Sequence, residues 1–118
     1  VLILVSDFID CPDHSILAVY GKLVVGCSLM TPEGNIAYLF VHPEWSGAGI
    51  GARLLALSIQ NAPVGRDLTV HVAVDNPAVI LYQSFGFKSE EYIVNFYEKY
   101  HAADSPLNRN ALFMRLRR

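Results

Sequence analysis

The stretch Ser46-Gly47-Ala48-Gly49-Ile50-Gly51 is where residue type and spacing point most directly to chemistry. It follows an apolar run, Ile36–Val41, that reads as a strand. It precedes Ile50, Leu54 and Leu57, whose i, i+4, i+7 recurrence reads as a helix. The first N–H groups of a helix have no internal acceptor, and the helix dipole places partial positive charge there. Glycines let that backbone touch a ligand closely, so strand, glycine turn and helix together form a phosphate cradle. A P-loop needs Gly-Lys-Ser/Thr at the helix start, whereas Gly51 is followed by Ala52 and Arg53. A dinucleotide fold needs G-x-G-x-x-G/A, which Gly47, Gly49 and Ala52 satisfy, with Asp75 as the ribose-binding acid. Against it, His42–Ser46 intervene between strand and glycines, and the chain has room for one crossover where a dinucleotide uses two.

Other chemistry is thinly represented. Cys11 and Cys27 make no disulfide framework, and His14, His42, His71 and His101 are scattered without metal-ligand spacing. Two reduced thiols in an intracellular protein, nuclear or cytoplasmic, are the expectation. Of the 118 residues 53% are apolar and 17% charged, which excludes disorder. The apolar runs break well before the roughly 20 residues of a membrane span. Nine basic against eleven acidic residues, a net charge of −2, argue against a general nucleic-acid surface. The length suits one domain over 1–118, and the start at Val1 suggests a fragment or C-terminal domain of a longer protein.

The elements that position the cradle follow from pattern. Val1–Val5 reads as a strand and Asp7–Ser15 as a loop. Ile16–Tyr20 and Leu23–Met30 form a hairpin at Gly21-Lys22. Thr31–Asn35 is a turn, and Ile36–Val41, almost continuously apolar, predicts a strand buried on both faces. Leu68–Val74 alternates as a strand. Asn76 and Pro77 start a second helix as N-cap and first residue, and Gly86 ends it. Phe87 and Tyr92–Tyr97 read as a strand, Glu98–Asn110 as a polar loop, and Ala111–Leu116 as a last strand. Arg115 and Arg117 on its face read as a solvated edge. The order predicts a mixed α/β (α+β) layer fold, antiparallel at its ends, with one right-handed parallel crossover.

Two motifs now combine. Leu39–Leu55 resembles the central pyrophosphate motif of the GNAT superfamily of acetyl-CoA-dependent N-acetyltransferases. Asp75–Phe87 resembles that family's A-x-x-L-Y-x-x-x-G-F signature, in the right order and with a strand between. With the strands the resemblance covers most of the chain, from Ser15 to the end. It implies helices on the faces of the sheet and a splayed strand pair, Ile36–Val41 against Leu68–Val74, that holds the thioester. It implies acetyl-CoA as co-substrate, with Phe40 and Val41 pairing to its pantetheine arm. Ser46, Gly47, Ala48, Gly49, Ile50, Gly51 and Ala52 would hold its pyrophosphate, and Asp75 or Asn76, of which Asn76 is the candidate carried forward, would contact the cofactor. Ser46 stands where the family usually has Arg or Gln.

Tyr82 matches the family tyrosine that protonates the departing thiolate. Asn35 stands where many relatives carry a glutamate base, and Asn takes no proton. Glu33, Tyr38, His42 or a held water remain as substitutes. Residues 6–15 are too few for the two helices that normally wall the acceptor groove. The opposite wall falls on the loop after Tyr97, where Tyr97 and Tyr100, with Phe96 and His101, suit a peptide. A closer likeness of residues 5–8, 40–45, 81–92 and 113–118 to one member of the family implies a protein lysine as acceptor, histone tails included. It also implies a place in a multi-subunit acetyltransferase complex. The departures at Asn35 and Ser46 leave a second reading, a non-catalytic GNAT-fold module that binds CoA or a protein partner.

Overall fold

Residues 2–5, 15–97 and 110–118 are described by the computed structural model, and most of the apolar runs appear in it as strands. The chain divides into two compact units, Val1–Leu68 and Thr69–Arg118. Among the described residues no helix is long and apolar enough to cross a membrane.

In the first unit β1 (Leu2–Val5), β2 (Ile16–Tyr20), β3 (Leu23–Met30) and β4 (Asn35–Val41) pair antiparallel in chain order. A 3₁₀ turn, Pro43–Trp45, leads from β4 to helix α1, Ile50–Gln60. Ile50 and Leu54, the residues whose spacing predicts α1, lie in one core with Ile16, Ala18 and Val25, and Leu57 packs against it. Gly26 permits the closeness of this contact. A Cβ there would stand 2.8 Å from the Phe40 carbonyl oxygen and 3.1 Å from Leu54 Cδ1. Polar ties invisible in the pattern complete the core. The fully buried Ser58 hydroxyl donates to Ser28 Oγ at 2.6 Å, joining α1 to β3. Ser15 Oγ accepts from the Met30 N–H at 3.2 Å.

One expectation is corrected here. β4 is not buried on both faces: Ile36 is buried, but Tyr38 is 52% and Phe40 37% exposed. Their ladder partners are Leu29 and Cys27, which alternate with Ser28 and Met30, so they lie on the face away from α1. Among the described residues of this unit no helix covers that face. An apolar run alone does not distinguish one covered face from two.

In the second unit β5 (Leu68–Ala73, whose first residue closes the first unit), β6 (Lys88–Ile93) and β7 (Ala111–Leu116) follow the spatial order β5-β7-β6. Burial along β5 alternates as predicted. Helix α2, Ala78–Ser84, begins under Asn76, whose Oδ1 accepts from the Ala78 N–H at 2.9 Å. The capping contact is the predicted one, although the helical span opens at Ala78, one residue beyond Pro77. The helix ends in a Schellman arrangement. Gly86 N–H donates to Gln83 O at 3.0 Å, and Phe87 N–H to Tyr82 O at 3.1 Å. Gly86 supplies the left-handed conformation this requires, at φ 98°.

Two readings of this unit change. The strand lies at Lys88–Ile93, and Val94–Tyr97 form a turn. Asn95 takes a left-handed conformation (φ 59°), its N–H donates to Asn110 Oδ1, and the Asn110 amide donates to Tyr92 Oη. This staple ends the strand where sequence alone continues it. The polar Lys88–Glu91 run carries no alternation signal because β6 is the exposed edge. The terminal strand β7 therefore lies between β5 and β6, and its arginines are engaged. A bulge between Ser89 and Glu91 leaves Glu90 without a ladder partner, and its carboxylate accepts from Arg115 Nε and Arg117 Nη2, each at 2.9 Å.

Candidate functional site

The first unit presents the glycine turn. Phe40 and Val41 end β4. Val41 is half-buried and packs against the α1 core, and the exposed Phe40 ring stacks on Tyr38 at 6.1 Å. His42 caps the following 3₁₀ turn: its Nδ1 accepts from the Glu44 N–H at 3.2 Å. Ser46 closes that turn, with Oγ donating to Pro43 O at 2.8 Å. Gly47 and Gly49 then adopt left-handed conformations (φ 83° and 79°), and a Cβ built on either meets nothing within 4 Å. α1 starts at Ile50 with Gly49 as an N-cap that has no side chain, and no acidic residue follows in its first turn. Arg53 N–H, donating to Gly49 O at 3.1 Å, opens the helical ladder. The N–H groups of residues 47–52 have no protein acceptor among the described residues. Ser46–Gly49 are exposed, and Gly51 and Ala52 half-buried. The arrangement offers a row of donors at the positive end of α1, where a side chain would ordinarily stand.

The second unit presents two phenols and an imidazole. Tyr82 sits in the last turn of α2, only 3% exposed, with its ring edge-on to Phe87 at 5.4 Å. This ring contact joins the two ends of the Schellman arrangement, so the helix cap fixes the tyrosine. No buried side-chain nitrogen or oxygen among the described residues lacks a partner, and Tyr82 Oη has no hydrogen bond among them. Burial first, and then the neighbouring Tyr97, push the Tyr82 phenol up to about 12. Burial also raises the Tyr97 phenol.

His71, on β5, stands out only in three dimensions. It stacks parallel on Phe96 at 4.5 Å with 7° between the planes, and tilts against Phe113 at 5.0 Å. Phe96 in turn meets Tyr97 edge-on at 4.9 Å. Burial against the rings lowers the His71 pKa below its ordinary 6.5, against the opposing pull of Glu91. Neither ring nitrogen has a hydrogen-bond partner among the described residues. In sequence His71 is an alternating strand residue, and its aromatic neighbours come from elements far along the chain.

The remaining sequence candidates separate clearly. Asn76 is occupied as the cap of α2. Asn35 closes the turn before β4, its N–H donating to Thr31 Oγ1 and its carbonyl accepting from the Thr31 N–H. Glu33 is exposed in that turn. Tyr97 joins the aromatic cluster, whereas Tyr100 and His101 lie outside the described residues.

The profile of the acetyltransferase (GNAT) domain family matches residues 12–89. The chain is 43% identical, over 96% of its length, to the cysteine-rich protein 2-binding proteins of Homo sapiens and Mus musculus, and it spans 15% of their length. Among solved structures it resembles a GNAT family acetyltransferase from Elizabethkingia anophelis with acetyl-CoA bound. The TM-score is 0.75 and the identity 20%, over 88% of this chain and 75% of that one. It also resembles Arabidopsis thaliana Naa50 in complex with a bisubstrate analogue, CoA-Ac-MVNAL, with TM-score 0.70 and 23% identity over 88% and 72%. At these identities the structures share its fold. The chain belongs to the GNAT family of acetyl-CoA-dependent N-acetyltransferases, with the mixed α/β fold of that family.

Proposed function

We propose, from that membership, that the chain binds acetyl-CoA through the N-terminus of α1 and moves the acetyl group to a primary amine, a protein lysine. The row of N–H groups over residues 47–52, without an acceptor among the described residues and at an N-cap with no side chain, carries the reading. A pyrophosphate supplies the acceptors and the negative charge that this backbone lacks. Gly47, Ala48, Gly49, Ile50, Gly51 and Ala52 hold it, and Ser46 keeps the preceding turn closed. Phe40 and Val41 take the pantetheine arm, and Asn76 contributes a second contact. Tyr82 donates to the departing sulfur. Tyr97 and Tyr100 receive the peptide that carries the amine.

The relatives' length supports a single GNAT domain within a longer protein. Their name describes a protein that binds another protein, which supports a protein acceptor and a place in a multi-subunit complex. A histone tail is one such acceptor. Use of acetyl-CoA puts the work inside the cell, in nucleus or cytoplasm.

The test is a thermal-shift series with acetyl-CoA, CoA and NAD, followed by transfer to a lysine peptide. Ligand at 100 times its Kd adds about 2.7 kcal/mol to stability. Acetyl-CoA and CoA are expected to give that shift and NAD none. Stabilisation by NAD alone would overturn the cradle reading. Binding without transfer, at any pH up to 9, would establish the non-catalytic module that Asn35 and Ser46 suggest.

A further inference from the structure

Amide formation needs a group that removes a proton from the attacking nitrogen, and the positions first considered for it are occupied otherwise. Asn35 has no basic atom. The Nδ1 of His42 already accepts from the Glu44 N–H. Glu33 is exposed in a turn, and Tyr38 is half in solvent with its ring stacked on Phe40.

We infer that His71 is the general base of the transfer, held against Phe96 and Phe113 with a ring nitrogen open to the acceptor amine. The inference rests on the acetyltransferase reading above. Its geometric grounds are independent of the glycine turn. The imidazole stacks on the parallel Phe96 ring at 4.5 Å and also packs, tilted, against the Phe113 ring at 5.0 Å. Its orientation is thus fixed by packing, with no hydrogen bond to either nitrogen among the described residues. The residue is half-buried, so the aromatic packing does not seal it from a substrate.

The charged and titratable groups around the ring are few. Glu91 on β6 is the ladder partner of Phe113 and favours the protonated ring. Arg115 on β7 lies over the Phe113 ring at 5.6 Å, with its guanidinium on Glu90. Tyr97 meets the far edge of Phe96. Burial outweighs Glu91, so the ring is held neutral at pH 7. In the same unit burial holds Tyr82 protonated. Two titratable groups driven in opposite directions are what an acid–base pair requires.

The step balances with these two groups. The amine lone pair attacks the thioester carbonyl carbon, the C–N bond forms, and the carbonyl π electrons move to oxygen. Bond formation makes the nitrogen's proton acidic, and it passes to the open His71 nitrogen. The oxygen lone pair then restores the carbonyl and the C–S bond breaks. The sulfur leaves as thiolate with a hydrogen bond from the Tyr82 hydroxyl. The proton on His71 returns through solvent, leaving amide and CoA thiol. A base of pKa below 6.5 would be a poor match for a free lysine ammonium near 10.4, but it suits this acidified nitrogen.

The experiment compares the full wild-type chain with His71→Gln and His71→Phe, using acetyl-CoA and a lysine peptide. Three quantities are read: acetyl-CoA affinity, kcat/KM from pH 5 to 9, and the NMR titration of the His71 ring. Expected are unchanged affinity in both variants and an about 100-fold fall in kcat/KM at pH 7, within the range of general-base effects. Wild-type rates should fall as pH drops through a value below 6.5 that matches the NMR titration of the ring. That limb should vanish in the variants, and added imidazole should restore part of the His71→Gln rate. Active variants with an unchanged profile overturn the role of His71 and leave the acetyltransferase reading intact. Wild type that binds acetyl-CoA yet transfers nothing overturns both. A variant that does not fold leaves the wild-type limb and ring titration to decide: a mismatch between them overturns the proposal.

Discussion

Replacing Tyr82 by Phe removes one oxygen and separates two roles for this residue. The ring and its edge contact with Phe87 survive, and the hydroxyl has no hydrogen bond among the described residues to lose. Stability should therefore change by less than about 0.5 kcal/mol, the ordinary range for a change that breaks no contact. The catalytic effect follows from the pKa. A phenol held at about 12 facing a thiol of ordinary pKa, near 8.5, would surrender its proton uphill by about 3.5 units, or roughly 5 kcal/mol. Complete proton transfer to the thiolate is thus the weaker account, and a hydrogen bond to the departing sulfur the stronger. A hydrogen bond to a charged group contributes about 1.5–3 kcal/mol, so kcat should fall about 10- to 150-fold. Because the pKa is high, the donor is lost only as pH rises through about 12, and no alkaline limb from Tyr82 should appear below pH 11. The assay is single-turnover acetyl transfer at saturating acetyl-CoA, with thermal denaturation of both proteins alongside. Turnover within twofold of wild type would show that Tyr82 serves packing alone. A wild-type limb near pH 10 that disappears in Tyr82→Phe would instead contradict the raised pKa.

Gly49→Asp places a carboxylate, in a left-handed backbone, where the donor row meets solvent, and should weaken acetyl-CoA binding at least 10-fold by calorimetry while the chain remains folded. Equal affinity in the folded variant would remove the cradle from consideration. Gly26→Ala sets a methyl 2.8 Å from a carbonyl oxygen, and urea denaturation should show a loss of about 1–3 kcal/mol. Ser58→Ala strands the buried Ser28 hydroxyl and should destabilise by about 1–3 kcal/mol, with the Ser28→Ala, Ser58→Ala pair losing less than the sum of the single changes.

What the sequence displays is set by the range of the interaction behind each feature. The cradle is legible because its glycines and the Ile50, Leu54 and Leu57 spacing are local, and Asn76 and Gly86 announce α2 for the same reason. β4 misleads because Tyr38 and Phe40 are as apolar as Ile36, and only the placement of α1 decides which face they take. β6 is misplaced toward Tyr92–Tyr97 because an edge strand needs no apolar alternation, and its end is fixed by the distant Asn110. His71 escapes notice for a stronger reason. Its protonation state is a property of Phe96 and Phe113, which arrive from the turn after β6 and from β7. Tyr82 is singled out by its motif, but the raised pKa of its phenol is not legible there, since that follows from burial and from Tyr97. The pKa shifts of Tyr82 and His71, on which their proposed roles depend, thus both come from tertiary desolvation in the second unit, whereas the donors of the first are set by backbone conformation. Substitutions at Phe96 that leave the glycine turn untouched should accordingly shift the pH profile of transfer without moving acetyl-CoA affinity.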